Sequence, residues 1–419
     1  MRVKYSDIGQ FVVACTLMLT ATCYDLIILA GIPITMLVFL EAVSILFVLS
    51  KISKKMNKSL LLVAAMLVLI AWRNSYQGSY YYIYLIMLYM LLFLLFLASP
   101  RHLGYRWFQW YISLSMMIYA VYAIATYICA ASPALYINRI VPLFPENASR
   151  LIKWYRDGCN AGITNHYSTN GMFLAIATMI GASGLAVYWK TSKKWKFLLY
   201  TVLCAGALLL TGKRGPLLFA GAALYAMYYF YLSNKSRNRF VNMLGIAIFC
   251  FLILFISVNV FDELKIGILR LLNEPEDSDI TSGRLAFWVV ALNQFRNSPV
   301  LGIGWANFRS TMQQFTGYDR AVHAHNIYIQ LLCETGVVGF GCFLIFFALS
   351  LKRTIGNFVT IRTKKQLMDN QIQLQFSVAV VLQLFFLLYG VTGNPLYDAM
   401  VFVPYFAATA FAGNNKFEV

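Results

Sequence analysis

His325-Asn326 stands where a long polar stretch runs into an apolar one, in Val322-His-Ala-His-Asn-Ile-Tyr-Ile-Gln-Leu-Leu-Cys-Glu-Thr-Gly-Val-Val-Gly339. Histidine changes charge nearest to neutral pH, so His325 is expected to titrate close to neutrality; a lone interfacial His is more often structural than catalytic, but His325-Asn326 at a helix start with a carboxylate downstream is not a common background pattern. Glu334 lies inside the apolar run, where a carboxylate is costly and marks function by default, and Gly336 and Gly339 leave a smooth face for helix packing. Arg214 and Lys213 sit in Thr211-Gly-Lys-Arg-Gly-Pro216, a tight connection between two apolar runs. Such a break suits anion binding at the start of the next helix; the competing reading is an interfacial side chain that snorkels to water. Arg284 follows Ser282-Gly283 at the start of a predicted helix, where it is either a phosphate ligand or a plain solvated charge. The turn Asn394-Pro-Leu-Tyr-Asp398 adds Asp398 near the membrane, and the Gly- and Asn-rich run from Arg156 to Gly171 adds Arg156 and His166, as a helix cap or a glycan-contact surface. What these residues leave is a candidate site built from Arg and His. No metal and no cofactor are expected: the acidic run Glu274-Pro-Glu-Asp-Ser-Asp279 lacks the turn glycine and terminal Glu of a calcium loop, and no P-loop, nucleophile elbow or H-E-x-x-H occurs.

The elements that must carry these residues follow from composition. Of 419 residues 60% are hydrophobic and only 12% charged, about half the charge of a soluble globular chain. So little charge cannot cover a water-facing surface. The chain reads as an all-α polytopic membrane protein with twelve predicted spans: 8–30, 33–50, 59–73, 80–98, 107–131, 167–189, 197–211, 216–233, 240–260, 326–350, 372–391 and 396–413. Lys and Arg number 34 against 16 Asp and Glu, a formal net charge of +18. In a soluble chain that excess would suggest nucleic acid, but here it follows the positive-inside rule and no nucleic-acid partner is expected. Most of the cations crowd into the short segments 51–58, 99–106, 190–196, 234–239 and 351–371, which puts both termini in the cytoplasm and the first span as a signal anchor. The eight cysteines form no C-x-x-C pair and read as small buried hydrophobes.

Two predicted outer segments, 132–166 and 261–324, are long and rich in aromatic and apolar positions, so both are expected to be folded. Within the second, Leu285, Trp288, Val289, Leu292 and Phe295 mark an amphipathic helix over 282–297, expected to lie along the outer membrane surface. Three regions result: residues 1–260 with nine spans and an outer loop at 132–166, 261–325 as a large extracytoplasmic loop, and 326–419 with three spans. The candidate chemistry gathers on the extracytoplasmic side.

The motifs resemble the O-antigen ligase and polymerase family, of the Wzy and WaaL types. The resemblance rests on His325-Asn326 followed by Gly336-x-x-Gly339, on Ser282-Gly-Arg284-Leu-x-x-Trp followed by Asn297-Ser-Pro-Val-Leu-Gly-Ile-Gly-Trp-Ala-Asn-Phe308, and on Thr211-x-x-Arg214. It departs at His166-Tyr, where many relatives carry His-Pro-Asn. The resemblance implies a GT-C-like plan and a metal-independent glycosyltransferase of the bacterial inner membrane. Its substrate is an undecaprenyl-diphosphate-linked oligosaccharide in the lipid bilayer, and its expected partners are a chain-length regulator and a flippase of the same pathway. Under it, Arg214 and Arg284 stabilise the leaving diphosphate, His325 activates the acceptor hydroxyl with inversion, and Lys213, Asn326, His166, Arg156, Glu334 and Asp398 contact substrate or orient the site.

Within the family, Gly-Asn-Pro-Leu-Tyr-Asp398 favours a polymerase over a ligase that hands glycan to lipid A core. A transporter or flippase of the same lipid-linked glycan is the rival of a different class. It predicts pseudo-symmetric halves, which the sequence does not show. A non-catalytic assembly scaffold is the third reading.

Overall fold

The structure, a computed structural model, describes residues 5–30, 34–51, 88, 90–96, 103–231, 241, 243–245, 284–309, 311–312, 322–363 and 369–414. The predicted third and ninth spans, most of the fourth, and the acidic run at 274–279 lie outside them. Eleven longer helices follow one another: α1 (Tyr5–Ala30), α2 (Ile34–Leu49), α3 (Arg106–Ala131), α4 (Ala148–Arg156), α5 (Tyr167–Tyr188), α6 (Lys194–Leu210), α7 (Arg214–Tyr231), α8 (Arg284–Asn297), α9 (Ile327–Thr363), α10 (Asn370–Tyr389) and α11 (Ala399–Asn414). No strand occurs among the described residues.

Among the described residues four helices, α3, α5, α9 and α10, are long and apolar enough to cross a membrane by themselves. They coincide with four of the predicted spans. α3 shows why these are membrane helices rather than core helices of a soluble domain. One face buries Tyr111, Ser115, Tyr119 and Tyr122, while the other exposes Met117, Val121, Ile124 and Ile128. Apolar residues on both faces suit lipid outside and protein inside.

α5 and α10 are enclosed on nearly every side, α5 among α3, α6, α7 and α10, and α10 among α5, α7, α9 and α11. With lipid as solvent, close fit and interhelical hydrogen bonds replace the hydrophobic drive. The Phe197 ring of α6 occupies the place where a Cβ on Gly184 of α5 would stand. Thr16 and Ser44 join α1 to α2 at 2.8 Å, and Gln383 donates to Thr354 across α10 and α9 at 2.8 Å. The buried Cys129, Cys204 and Cys333 fill space as small hydrophobes, as the sequence suggests.

The bundle has two chemically different ends. At one, Arg106 pairs with Asp7 at 2.8 Å, Tyr105 meets Phe411, Asn357 donates to the Ala412 carbonyl, and Arg362 donates to the last carbonyls of α7, Phe230 and Tyr231. This end carries the described parts of the Lys- and Arg-rich segments. The tenth predicted span is corrected here: α9 does not stop at residue 350 but runs to Thr363, where Arg362 can reach and cap the C-terminus of α7. The other end gathers the starts of α5, α7, α9 and α11 and the ends of α6 and α10.

Segment 132–166 is folded, as expected. It is a run of short helical turns and α4, packed around Tyr136, Val141, Phe144 and Leu151. α8 also forms, and it buries a side that the predicted stripe does not mark. Phe287 and Ala291 are buried against α9, while Leu285, Val289 and Leu292 are 55%, 50% and 40% exposed. Leu285, Val289 and Leu292 of the predicted stripe face away from the protein, while Trp288 turns toward it. At 100° per residue Arg284 falls close to Ala291, at the edge of the buried side.

Candidate functional site

The site grows from helix ends. His166 is the N-cap of α5: its Nδ1 accepts the Ser168 N–H at 2.9 Å, and its ring stacks on Tyr167 and lies against Trp154 of α4. The preceding loop is tied down by Asn160, whose N–H donates to the Leu210 carbonyl at the end of α6 and whose side-chain amide donates to the Thr126 carbonyl. That anchoring places the Thr211-Gly-Lys213 turn beside His166. Lys213 lays its ammonium over the Tyr167 ring at 5.2 Å. Burial, and then Lys213, push His166 down to about 4. The capping alternative of the sequence reading is therefore what His166 does structurally, and its remaining ring nitrogen, Nε2, carries the proton.

His325 is held in an unusual backbone state, φ 52, in the left-handed region. Both neighbours are anchored. The Trp288 indole donates to the Ala324 carbonyl at 2.9 Å, and the Ala324 N–H donates to Gln330 Oε1 at 3.0 Å. On the other side Asn326 Oδ1 accepts the N–H groups of Tyr328 and Ile329, capping α9, and the Ile327 N–H donates to Gly390 at the end of α10. A non-glycine residue in this conformation costs about 1–3 kcal/mol and persists only where its surroundings over-determine it. The oxygen of Asn326 is thus committed to the helix start.

Half-buried His325 lies near Phe287, and burial, then Arg284, then Lys213 push it down to about 4. The expectation that it titrates near neutrality is corrected: two cations and desolvation both penalise the imidazolium. At neutral pH its imidazole is uncharged and able to accept a proton. Replacing Trp288 with Phe keeps the ring but removes the bond to Ala324. A lost buried hydrogen bond is worth about 1 kcal/mol, so the melting temperature in detergent is expected to fall by a few degrees at unchanged protein level, read by thermal unfolding and immunoblot.

Glu334 holds the loop that follows α8. It is 1% exposed and accepts hydrogen bonds from the N–H groups of Ala306 (2.9 Å) and Phe308 (3.2 Å), from Gln330 Nε2 (3.0 Å) and from the Tyr397 hydroxyl. α9 breaks at Gly336, φ 63 and ψ −172, and the backbone of the break pairs with the loop: Ile303 with Cys333, Gly304 with Glu334, Val337 with Pro299. Arg309 follows Phe308 out of this clasp and acts on both His323 and Asp398. The sequence reading stopped its motif at Phe308 and passed over Arg309 and His323. Arg309 adjoins that motif, and His323 sits two residues before His325.

Lys213, Arg284, Arg309, His325, His323, His166 and Asp398 therefore share one end of the bundle. Lys213 acts on His166, His325 and Asp398, and Arg284 acts on His325 and on the Tyr389 end of α10. The electrostatic neighbours of the histidines are cations, which makes the cluster a place for an anion. Arg214 opens α7 with an exposed side chain, and Arg156 is exposed at the end of α4. Lys213, one residue earlier, is the member of that pair that acts on His325.

Residues 199–344 match the family model Wzy_C, described as O-Antigen ligase. That segment, about a third of the chain, is similar to the O-antigen ligase family. The matched segment contains Lys213, Arg214, Arg284, Arg309, His323, His325 and Glu334, while His166 and Asp398 lie outside it. No curated protein matches the chain. With its apolar helices, the O-antigen ligase/polymerase domain supports a membrane-bound, glycan-handling enzyme of the O-antigen pathway.

Proposed function

We propose that the chain is a polysaccharide polymerase that transfers a growing glycan from undecaprenyl diphosphate to a sugar hydroxyl of a lipid-linked repeat unit, with inversion. The observation that carries this reading is His325, uncharged and flanked by Arg284 and Lys213. The acceptor oxygen attacks the anomeric carbon while the bond from that carbon to the phosphate oxygen breaks. The hydroxyl proton passes to His325, and the negative charge leaves on undecaprenyl diphosphate, held by Arg284 and Lys213. The same two cations explain how a weak base becomes a useful one. A bound diphosphate offsets their field, so His325 becomes more basic once the donor is loaded. Glu334 positions the loop instead of meeting substrate, Asp398 orients Lys213 and Arg309, and Arg214 and Arg156 serve as outer contacts for the incoming headgroup.

The reading includes a membrane orientation with the termini in the cytoplasm and the site on the extracytoplasmic face of the inner membrane. The exposed Leu285, Val289 and Leu292 would then seat α8 in the outer lipid interface. A chain-length regulator and a flippase are the partners such a polymerase needs.

The similarity of residues 199–344 to the O-antigen ligase family favours the second reading, a ligase that transfers the finished glycan to lipid A core. Deleting the gene separates the two. Polymerase loss is expected to leave surface lipid capped with a single repeat unit. Accumulation of long undecaprenyl-linked polymer would identify a ligase instead, and an unchanged surface glycan would overturn both.

A further inference from the structure

Beyond His325, a second imidazole stands in the cluster with its hydrogen-bonding role already decided by the fold. Gln330 is fully buried, and its side-chain amide meets three partners. The Ala324 N–H, which can only donate, lies 3.0 Å from one end and identifies that end as the oxygen. The other end lies 3.0 Å from Glu334 Oε1 and 2.9 Å from His323 Nδ1. One amide hydrogen goes to the carboxyl oxygen and the other to the histidine. His323 Nδ1 is therefore an acceptor, and the ring proton sits on Nε2.

The ring is also fixed in plane. It lies 4.7 Å from the Tyr397 ring, which stacks on Trp305 at 5.1 Å and donates its own hydroxyl to Glu334. His323 thus belongs to the same clasp that brings out Arg309. Burial, then Arg309 and His325, push it down to about 3, so it stays uncharged under physiological conditions. The two histidines differ in kind: the Nδ1 lone pair of His323 is consumed inside the protein, leaving an N–H to offer.

We propose that His323 presents its Nε2–H to a phosphate oxygen of the lipid diphosphate, beside Arg309, and so acts as a fixed donor to the leaving group. This rests on the lipid-diphosphate reading above. It divides the work between the two imidazoles, His325 taking the acceptor's proton and His323 meeting the charge that develops on the departing phosphate. An uncharged N–H donor adds a directed bond among cations without adding repulsion between them.

The chain has only four histidines, His102, His166, His323 and His325. In the full-length protein in lipid nanodiscs, nitrogen-15-labelled histidine resolves the tautomer of each, assigned with single His→Gln variants. The expected spectrum shows His323 with a bare Nδ1 and a protonated Nε2 at neutral pH, and its Nε2 signal moves when farnesyl diphosphate is titrated in. A protonated Nδ1 or an imidazolium overturns the proposal. If His325 responds to farnesyl diphosphate and His323 does not, the His323 role fails while the diphosphate reading stands. If neither responds, both fail.

Activity gives an independent readout. His323→Gln places an amide N–H near the original Nε2 and is expected to keep transfer within about tenfold of the native rate. His323→Phe keeps the ring but no donor, and is expected to lower kcat about a hundredfold. Equal losses in the two variants, or an unaffected Phe variant, would overturn the donor role.

Discussion

His325→Ala is expected to lower glycan transfer about a thousandfold, with protein still inserted in the membrane at native levels. The substitution removes the one imidazole of the cluster that has Arg284 and Lys213 as its electrostatic neighbours, while the caps and clasps that hold the loop use backbone groups and other side chains. Because His325 is pushed down to about 4, kcat/KM for the native protein should be flat around neutral pH and fall only as the pH approaches that value. The sign for the variants follows. Taking away a positive neighbour favours the imidazolium, so Arg284→Ala and Lys213→Ala should each move the acid limb to higher pH while lowering the rate by about 100-fold. Saturating donor should move the same limb upward in the native protein, since bound diphosphate offsets both cations. An acid limb unmoved in either variant would show that His325 is not the group that titrates.

Gly302→Ala and Gly336→Ala should each destabilise the protein by several kcal/mol, seen as a clearly lower melting temperature in detergent, and abolish transfer. Both glycines have left-handed backbones, φ 69 and φ 63, which by itself costs an alanine about 1–2 kcal/mol. Space adds the rest. A Cβ on Gly302 would overlap the Glu334 carbonyl group, and a Cβ on Gly336 would overlap the Val300 carbonyl group. In both cases the obstacle is backbone, which cannot rotate aside, and overpacking of this kind costs about 1–3 kcal/mol more. The two chain segments interlock, so either change should separate loop 299–308 from the break in α9 and release Arg309 and His323 together. Gly341→Ala is the control. Nothing lies within 4 Å of its Cβ position, so it should be neutral or slightly stabilising. A native melting temperature for Gly302→Ala would show that the clasp does not hold the site.

Much of the architecture was legible because membrane helices are written in composition. The spans at α3, α5, α9 and α10 follow from uninterrupted apolar runs of the length a bilayer requires. α8 was legible from its spacing, yet its buried side was not. Periodicity shows that a helix has an apolar face but cannot say whether that face meets protein or lipid, since both are apolar. The Lys213-Arg214 pair shows a finer failure. Two adjacent cations are equivalent on paper, but Lys213 stands in the turn before α7 and acts on His325, while Arg214 opens the helix and is exposed.

The sequence by itself determined that this is a helical membrane protein, that it carries a histidine and arginines where charge is scarce, and that these lie near predicted helix ends. Those properties depend on residue type and local spacing, which are complete in the chain. Only the tertiary structure decided that Glu334 clasps a loop, that Arg309 and His323 join the cluster, and that His325 is uncharged at neutral pH. Each of these depends on partners distant in sequence, Glu334 with Tyr397 and His325 with Lys213 and Arg284. Hydrogen bonds and fields act through space, so a side chain's charge and role are set by neighbours that only folding supplies.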